Sequence, residues 1–81
     1  MRCDVVEAQE FGKLIKLLRN GAGLSQKKFA ERVGCYRTYP SLLERGKLAP
    51  KLFMLIRIAH ALGVNAATLL RIFERRMEVR K

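Results

Sequence analysis

Arg37 lies inside the run from Leu24 to Gly46, which reads as a helix, a tight turn and a second helix. A guanidinium offers two parallel donors, the pattern that meets O6 and N7 of guanine in a DNA major groove. Cations gather around the same run, with Lys27 and Lys28 at the start of its first helix and Lys47 and Lys51 just beyond its second. The first turn of a helix favours acids, because its unpaired N–H groups carry partial positive charge. A lysine there costs about 0.3 kcal/mol or more, yet it strengthens the helix start as a phosphate site. These four lysines are therefore expected to give up local helix stability for phosphate contact, although a merely basic surface would look the same. Two short helices crossing at a turn, with cations around them, are what it takes to set one helix in a major groove.

Other chemistries find little material. The chain shows no acid/base pair in an expected pocket, no nucleophile with a histidine and no phosphate-cradling glycine loop, so no enzyme and no cofactor is expected. Its single histidine, His60, and its widely separated Cys3 and Cys35 leave a metal site without ligands. Counting alone leaves a Cys3–Cys35 disulfide open; a reduced intracellular protein is the expectation. No signal peptide is expected in the acid-bearing first residues. The apolar stretch from Leu52 to Val64 is too short to span a bilayer. The expected location is cytoplasmic.

Seventeen Lys and Arg face seven Asp and Glu, for a formal net charge of +10. Such an excess strains the compact state by self-repulsion and attracts polyanions, nucleic acid first among them. The 81 residues form one expected domain, 1–81. A chain of that size buries only about 60% of its unfolded surface, so a partner subunit would help.

The elements that must position these residues are all helices. The first is expected from about Val6 to Asn20, with Phe11, Ile15 and Leu18 on one apolar stripe. The second runs from Gln26 to Arg32, capped by Ser25, burying Phe29, Ala30 and Val33 and stopped by Gly34. The third lies between about Arg37 and Arg45 with Leu43 inward, and the fourth between about Leu52 and Leu62. Asn65 caps the fifth, about Ala66 to Met77, with the last residues frayed. Short connections make this a compact all-α unit, with no ligand pocket expected in so small a fold.

Several anchors, in order and spacing, carry a resemblance: Leu24-Ser25-Gln26, Phe29-Ala30, Val33-Gly34, Glu44-Arg45-Gly46-Lys47, Pro50, and Ile58-Ala59-His60-Ala61-Leu62-Gly63-Val64. Over about Phe11 to Leu70 the chain resembles the phage-repressor-like (Cro/repressor, Xre-type) helix-turn-helix regulators, and its Arg37-to-Lys47 stretch is similar to restriction–modification controller proteins. The resemblance implies a five-helix fold that binds a pseudo-palindromic double-stranded operator as a homodimer and regulates transcription, with residues 71–81 as a C-terminal extension. It implies that Gln26 touches a phosphate and braces the recognition helix. It places Arg37, Thr38, Tyr39, Ser41 and Leu42 where the family reads bases. It pairs Arg19 with Glu44 in a partly buried salt bridge. Phosphate contacts are expected from Ser25, Gln26, Lys27, Lys28, Arg45, Lys47 and Lys51.

Some positions stay open. Thr38 could meet a phosphate, a thymine methyl, or only the helix start. Tyr39 could bond the DNA backbone or be half-buried. Leu42 could meet a thymine methyl or face the core. Pro40 replaces the family's β-branched residue, so the third helix either starts near Thr38 or Tyr39 or has a distorted first turn. Pro40 could simply start the helix or could fix the approach of Arg37; on the second reading Pro40→Ile changes DNA preference more than stability.

Apolar residues beyond the needs of one small core point to an interface. Leu14 and Leu17 lie off the first helix's stripe, and Phe53 and Met54 replace polar residues of the family. A homodimer through Phe53, Leu69, Ile72, Phe73 and Met77 is expected, against the alternative that the extra length folds over its own core. His60 is expected to be a surface histidine. A second functional class stays open: an antitoxin-like or bridging interaction module whose main partner is a toxin or the transcription machinery.

Overall fold

The computed structural model describes residues 2–80, with side chains from Val5 to Glu78. Among them run α1 (Arg2–Gly21), α2 (Gln26–Val33), α3 (Tyr39–Glu44), α4 (Leu52–Ala61) and α5 (Ala66–Arg80). Helix α1 packs against α3 and α5, α2 against α3 and α4, and α4 against α5. The pairing and redox state of Cys3 lie outside the described side chains.

Local chemistry sets the helix ends. The Ser25 hydroxyl accepts from the Lys28 N–H at 3.0 Å, and Asn65 Oδ1 accepts from the Thr68 N–H at 2.8 Å. Each satisfies one orphan donor of a first turn. Gly34 closes α2 at φ 82°, donating its N–H to Ala30 O at 2.8 Å, a conformation cheap only for glycine.

The core is Phe29, Ile15, Leu43, Ile58 and Leu69, all with under 2% of their surface exposed. Phe11 meets Phe73 edge-on with ring centroids 5.3 Å apart, tying α1 to α5. Edge-to-face is the arrangement the ring quadrupoles favour.

Three expectations need correction. Leu14 is only 3% exposed and belongs to the core, because α1 packs on two helices at once and needs a wider apolar face than one stripe. Helix α3 is shorter than the span from Arg37 to Arg45: it begins at Tyr39, one of the starts Pro40 left open, with Pro40 in its first turn and Arg37 and Thr38 in the turn before it. Helix α5 continues to Arg80 rather than ending near Met77.

Close backbone approaches fix the layout. A β-carbon on Gly12 would come within 2.7 Å of the Glu44 carbonyl oxygen and closer still to that of Leu43. Gly46, at φ 74°, meets Gln9, where an added β-carbon would lie 2.7 Å from its Cγ. Helix α1 thus rests on the C-terminal end of α3 through two glycines.

Candidate nucleic-acid interface

The pair α2 and α3 is held by one polar cluster. Arg19 donates from Nε to Glu44 Oε2 at 2.6 Å and from Nη2 to Glu44 Oε1 at 3.1 Å. Its third donor, Nη1, reaches the Leu24 carbonyl at 2.7 Å. Gln26 Nε2 donates to Glu44 Oε1 at 3.0 Å. One guanidinium therefore joins α1, the entry to α2 and the end of α3. The side chains of Arg19 and Glu44 are 9% and 4% exposed. At that burial the pair must be fully hydrogen-bonded to be tolerated, and among the described residues no buried side-chain polar atom lacks a partner.

Outside this cluster the surface is cationic and open. Arg37 and Thr38 are exposed in the turn ahead of α3. Thr38 caps α3 by position but makes no side-chain cap bond, so its hydroxyl is available to a ligand. Ser41 and Leu42 are half-buried, and Tyr39 packs against the core with part of its surface outward. Burial pushes the Tyr39 phenol up from its ordinary value and the neighbouring Cys35 adds to this, so it stays a hydrogen-bond donor. Burial likewise pushes the Cys35 thiol up, against a smaller opposing pull from a backbone hydrogen bond. Pro40 is fully buried, packing α3 onto the core.

Lys27, Lys28, Lys47, Lys51 and Arg45 are all exposed. Lys28 makes one surface pair, with Glu31 at 3.5 Å, and such pairs contribute little. Lys51 stands at the N-cap of α4 in extended conformation with no side-chain cap bond. Lys27 and Lys28 flank the first turn of α2, which holds no acid. Ser25 and Gln26 are exposed at the same helix start.

Sequence reasoning missed several features. Tyr36, 85% exposed, stands beside Arg37 in the turn; an aromatic there was a readable signal. Glu10 is buried and receives Arg76 at 3.2 Å and Lys13 at 3.4 Å. Sixty-six positions separate Glu10 from Arg76, and no spacing rule finds such a pair. An open apolar groove of about 390 Å³ lies between α1, Pro50, α4 and α5, where no pocket was expected.

The expected interface residues divide. Phe53 is 76% exposed on α4. Ile72 and Phe73 pack partly on their own core, and Met77 is half-buried. Leu69 is fully buried and cannot meet a partner, because α5 turns it onto the core. Leu17 is 62% exposed and His60 lies at the surface. Among the described residues no single helix is long and apolar enough to cross a membrane.

Comparison with known proteins places this arrangement. A family profile described as a helix-turn-helix domain matches residues 10–72. The chain is 46% identical over 50 residues to an uncharacterised HTH-type transcriptional regulator of Methanothermobacter thermautotrophicus, covering 62% of this chain and 72% of that protein. The fold superposes on the clp gene regulator ClgR of Corynebacterium glutamicum with a TM-score of 0.81 and 26% identity, covering 91% of this chain and 79% of that one. It also superposes on the restriction-modification controller protein C.AhdI of Aeromonas hydrophila with a TM-score of 0.75 and 31% identity, covering 79% of this chain and 97% of that one.

Proposed function

Because the chain belongs to the helix-turn-helix family of transcriptional regulators, we propose that it reads a specific double-stranded operator and acts as a repressor or controller of transcription. One observation carries this reading. The Arg19–Glu44–Gln26 cluster fixes α3 from behind, while Arg37 and Thr38 project ahead of it with no protein partner among the described residues. A held helix with free donors at its leading end suits a major groove about 12 Å wide.

The roles divide by chemistry. Arg37 reads a guanine edge. Thr38 contacts a phosphate or a thymine methyl. Ser41, Leu42 and the exposed part of Tyr39 follow along the groove. Ser25, Gln26, Lys27, Lys28, Arg45, Lys47 and Lys51 hold phosphates, which position the protein without reading sequence. The action is binding rather than catalysis, in the cytoplasm.

The protein binds as a two-fold dimer through Phe53, Ile72, Phe73 and Met77. Two recognition helices about 34 Å apart then match a pseudo-palindrome with half-sites one turn apart. The test is selection of bound duplexes from a random library. A palindromic consensus with that spacing is the expected result; no enrichment over the starting pool would overturn the reading.

A further inference from the structure

Glu10 is a buried carboxylate outside the Arg19 cluster. Its side chain is 10% exposed and takes two cations. Lys13 reaches it at 3.4 Å from the same helix, with 62% of its own side chain exposed. Arg76 reaches it from α5 at 3.2 Å, with 32% exposed. Only the second of these bonds joins two helices.

One turn of α1 carries both this link and the contacts with the end of α3. Gln9 and Gly12, at i and i+3, share a side of the helix. Gly12 lies against the Leu43 and Glu44 carbonyls, and Gln9 lies against Gly46. Gly46 donates its N–H to Leu43 O at 3.1 Å and Lys47 donates to Leu42 O at 2.9 Å, so this turn moves with α3. Glu10 and Phe11, between Gln9 and Gly12 in sequence, meet α5 instead: Glu10 bonds Arg76, and Phe11 meets Phe73 edge-on. The contacts with α3 involve backbone atoms or the root of a side chain. A flexible side-chain tip would absorb a small shift of α1, whereas close-packed backbone passes it on.

Helix α3 is short, spanning about 7.5 Å from Tyr39 to Glu44 at 1.5 Å per residue. Arg37 and Thr38 stand just ahead of its start. The seat of α1 on one end of α3 therefore fixes where those donors lie at the other. Recognition groups must be held to within about 0.5 Å of their productive geometry.

We propose that Arg76 is a positioning residue for base recognition, acting from α5 through Glu10 and α1 on the C-terminal end of α3. This rests on the regulator reading above and adds to it a residue outside every DNA contact named there. By this route the packing of α5 enters the choice of operator.

Lys13 supplies the control. Arg76→Gln and Lys13→Gln each remove one cation from Glu10 and lower the net charge equally, but only the first cuts the link between helices. Discrimination is read as the ratio of affinities for a selected operator half-site and for the same half-site with one base pair altered. Half-sites keep dimerisation out of the ratio. Stability is kept out as well, since a smaller folded fraction weakens binding to both duplexes alike, and circular dichroism checks that each variant is folded. Arg76→Gln should lower the ratio by about threefold or more, the scale of substitutions along a coupled path. Glu10→Met with Arg76→Met, which cuts the link without leaving a buried charge unpaired, should lower it too. Arg76→Lys, which keeps the cation, should retain most of the ratio, and Lys13→Gln should leave it unchanged. In the protein without DNA, the amide resonances of Tyr39–Glu44 should move with Arg76→Gln and hold with Lys13→Gln. An unchanged ratio or unmoved α3 resonances for Arg76→Gln overturn the proposal, as does an equal loss for Lys13→Gln. A parent that binds every duplex alike overturns the regulator reading and this role with it. A discriminating parent whose ratio Arg76→Gln does not move overturns this role alone.

Discussion

Arg19 and Glu44, twenty-five positions apart, share two hydrogen bonds of 2.6 and 3.1 Å across the junction of α1 and α3. The same guanidinium also holds the Leu24 carbonyl, and the same carboxylate takes Gln26. Helix α3 is only six residues long. A helix that short is not stable by itself, since nucleation is unfavourable and few turns follow. Its orientation comes from this cluster and from Leu43 and Pro40 beneath it.

Removing one partner of the pair leaves a buried charge. Arg19→Met should therefore cost about 3–5 kcal/mol, read as a lower urea midpoint with little change in slope. Replacing both, as Arg19→Met with Glu44→Leu, should recover much of the loss, because two apolar groups need no hydrogen bonds. If the double variant is no better than the single, the cluster is not a charge pair set against desolvation. DNA affinity of the single variant should fall with the unfolded fraction, so binding is compared well below its melting temperature.

Arg37 is exposed and makes no hydrogen bond or ion pair among the described residues, so Arg37→Ala should leave the melting temperature nearly unchanged. Its effect should fall on base discrimination. A good bidentate contact contributes about 1–3 kcal/mol at one base pair. Competition between duplexes differing at a single guanine should show that preference collapse by roughly tenfold or more. A uniform loss across all duplexes would make Arg37 a phosphate contact instead.

The fold was legible in the sequence where chemistry is local. Ser25, Gly34, Gly46 and Asn65 mark helix ends by their own preferences, and each does so here. The Arg19–Glu44 pair was legible only through the spacing of a resemblance, because nothing local links the two. Periodicity showed which sides of α1 and α5 are apolar but not how many neighbours each side meets. Leu14 went to the core because α1 touches two helices, and Leu69 because α4 and α1 both lie under α5. The Glu10–Arg76 contact and the groove arise from tertiary packing of the chain's two ends, which no window of sequence contains. In the interface, the cations were readable from composition. That Thr38 and Arg37 precede α3 rather than ride on it followed from Pro40, whose effect on its neighbour was readable but whose burial was not.

The exposed lysines should be counted by salt. Each Lys that meets a phosphate contributes about 0.9 to the slope of log affinity against log salt on B-DNA. Changing Lys27, Lys28, Lys47 or Lys51 singly to Gln should lower the slope by about 1 wherever contact is made. Lys28 should show the smallest change, since Glu31 already lies 3.5 Å from its ammonium group. Four unchanged slopes would reduce these residues to a generally basic surface.

Stability should fall on the alkaline side. The Tyr39 phenol and the Cys35 thiol both have folded pKa values above their ordinary ones, chiefly through burial. The folded state therefore holds protons that the unfolded chain releases, so the contribution is fully present below the unfolded pKa and is lost as pH rises through the folded one. The unfolded values are about 8.5 for Cys and about 10 for Tyr. Unfolding free energy measured from pH 8 to pH 11 should decline, and Cys35→Ala should flatten the earlier part while Tyr39→Phe flattens the later. Identical profiles for parent and variants would remove these groups as the cause.

Gly12 gives a test in which helix propensity and packing have opposite signs. In the middle of a free helix, glycine to alanine gains about 1 kcal/mol. Here the added methyl group would press on the carbonyl oxygens of Leu43 and Glu44, the last residues of α3. Backbone atoms held by the Arg19 cluster cannot move aside as a flexible side chain would. Gly12→Ala should thus destabilise the protein, by about 1–3 kcal/mol as for other overpacked sites. It should also shift α3 relative to α2, so operator affinity should drop even where the variant is fully folded. Gly21→Ala, on the same helix with nothing within 4 Å of its added carbon, is the matched control and should keep both stability and affinity. If Gly12→Ala instead raises the melting temperature, α1 and α3 do not approach as closely as two bare backbones.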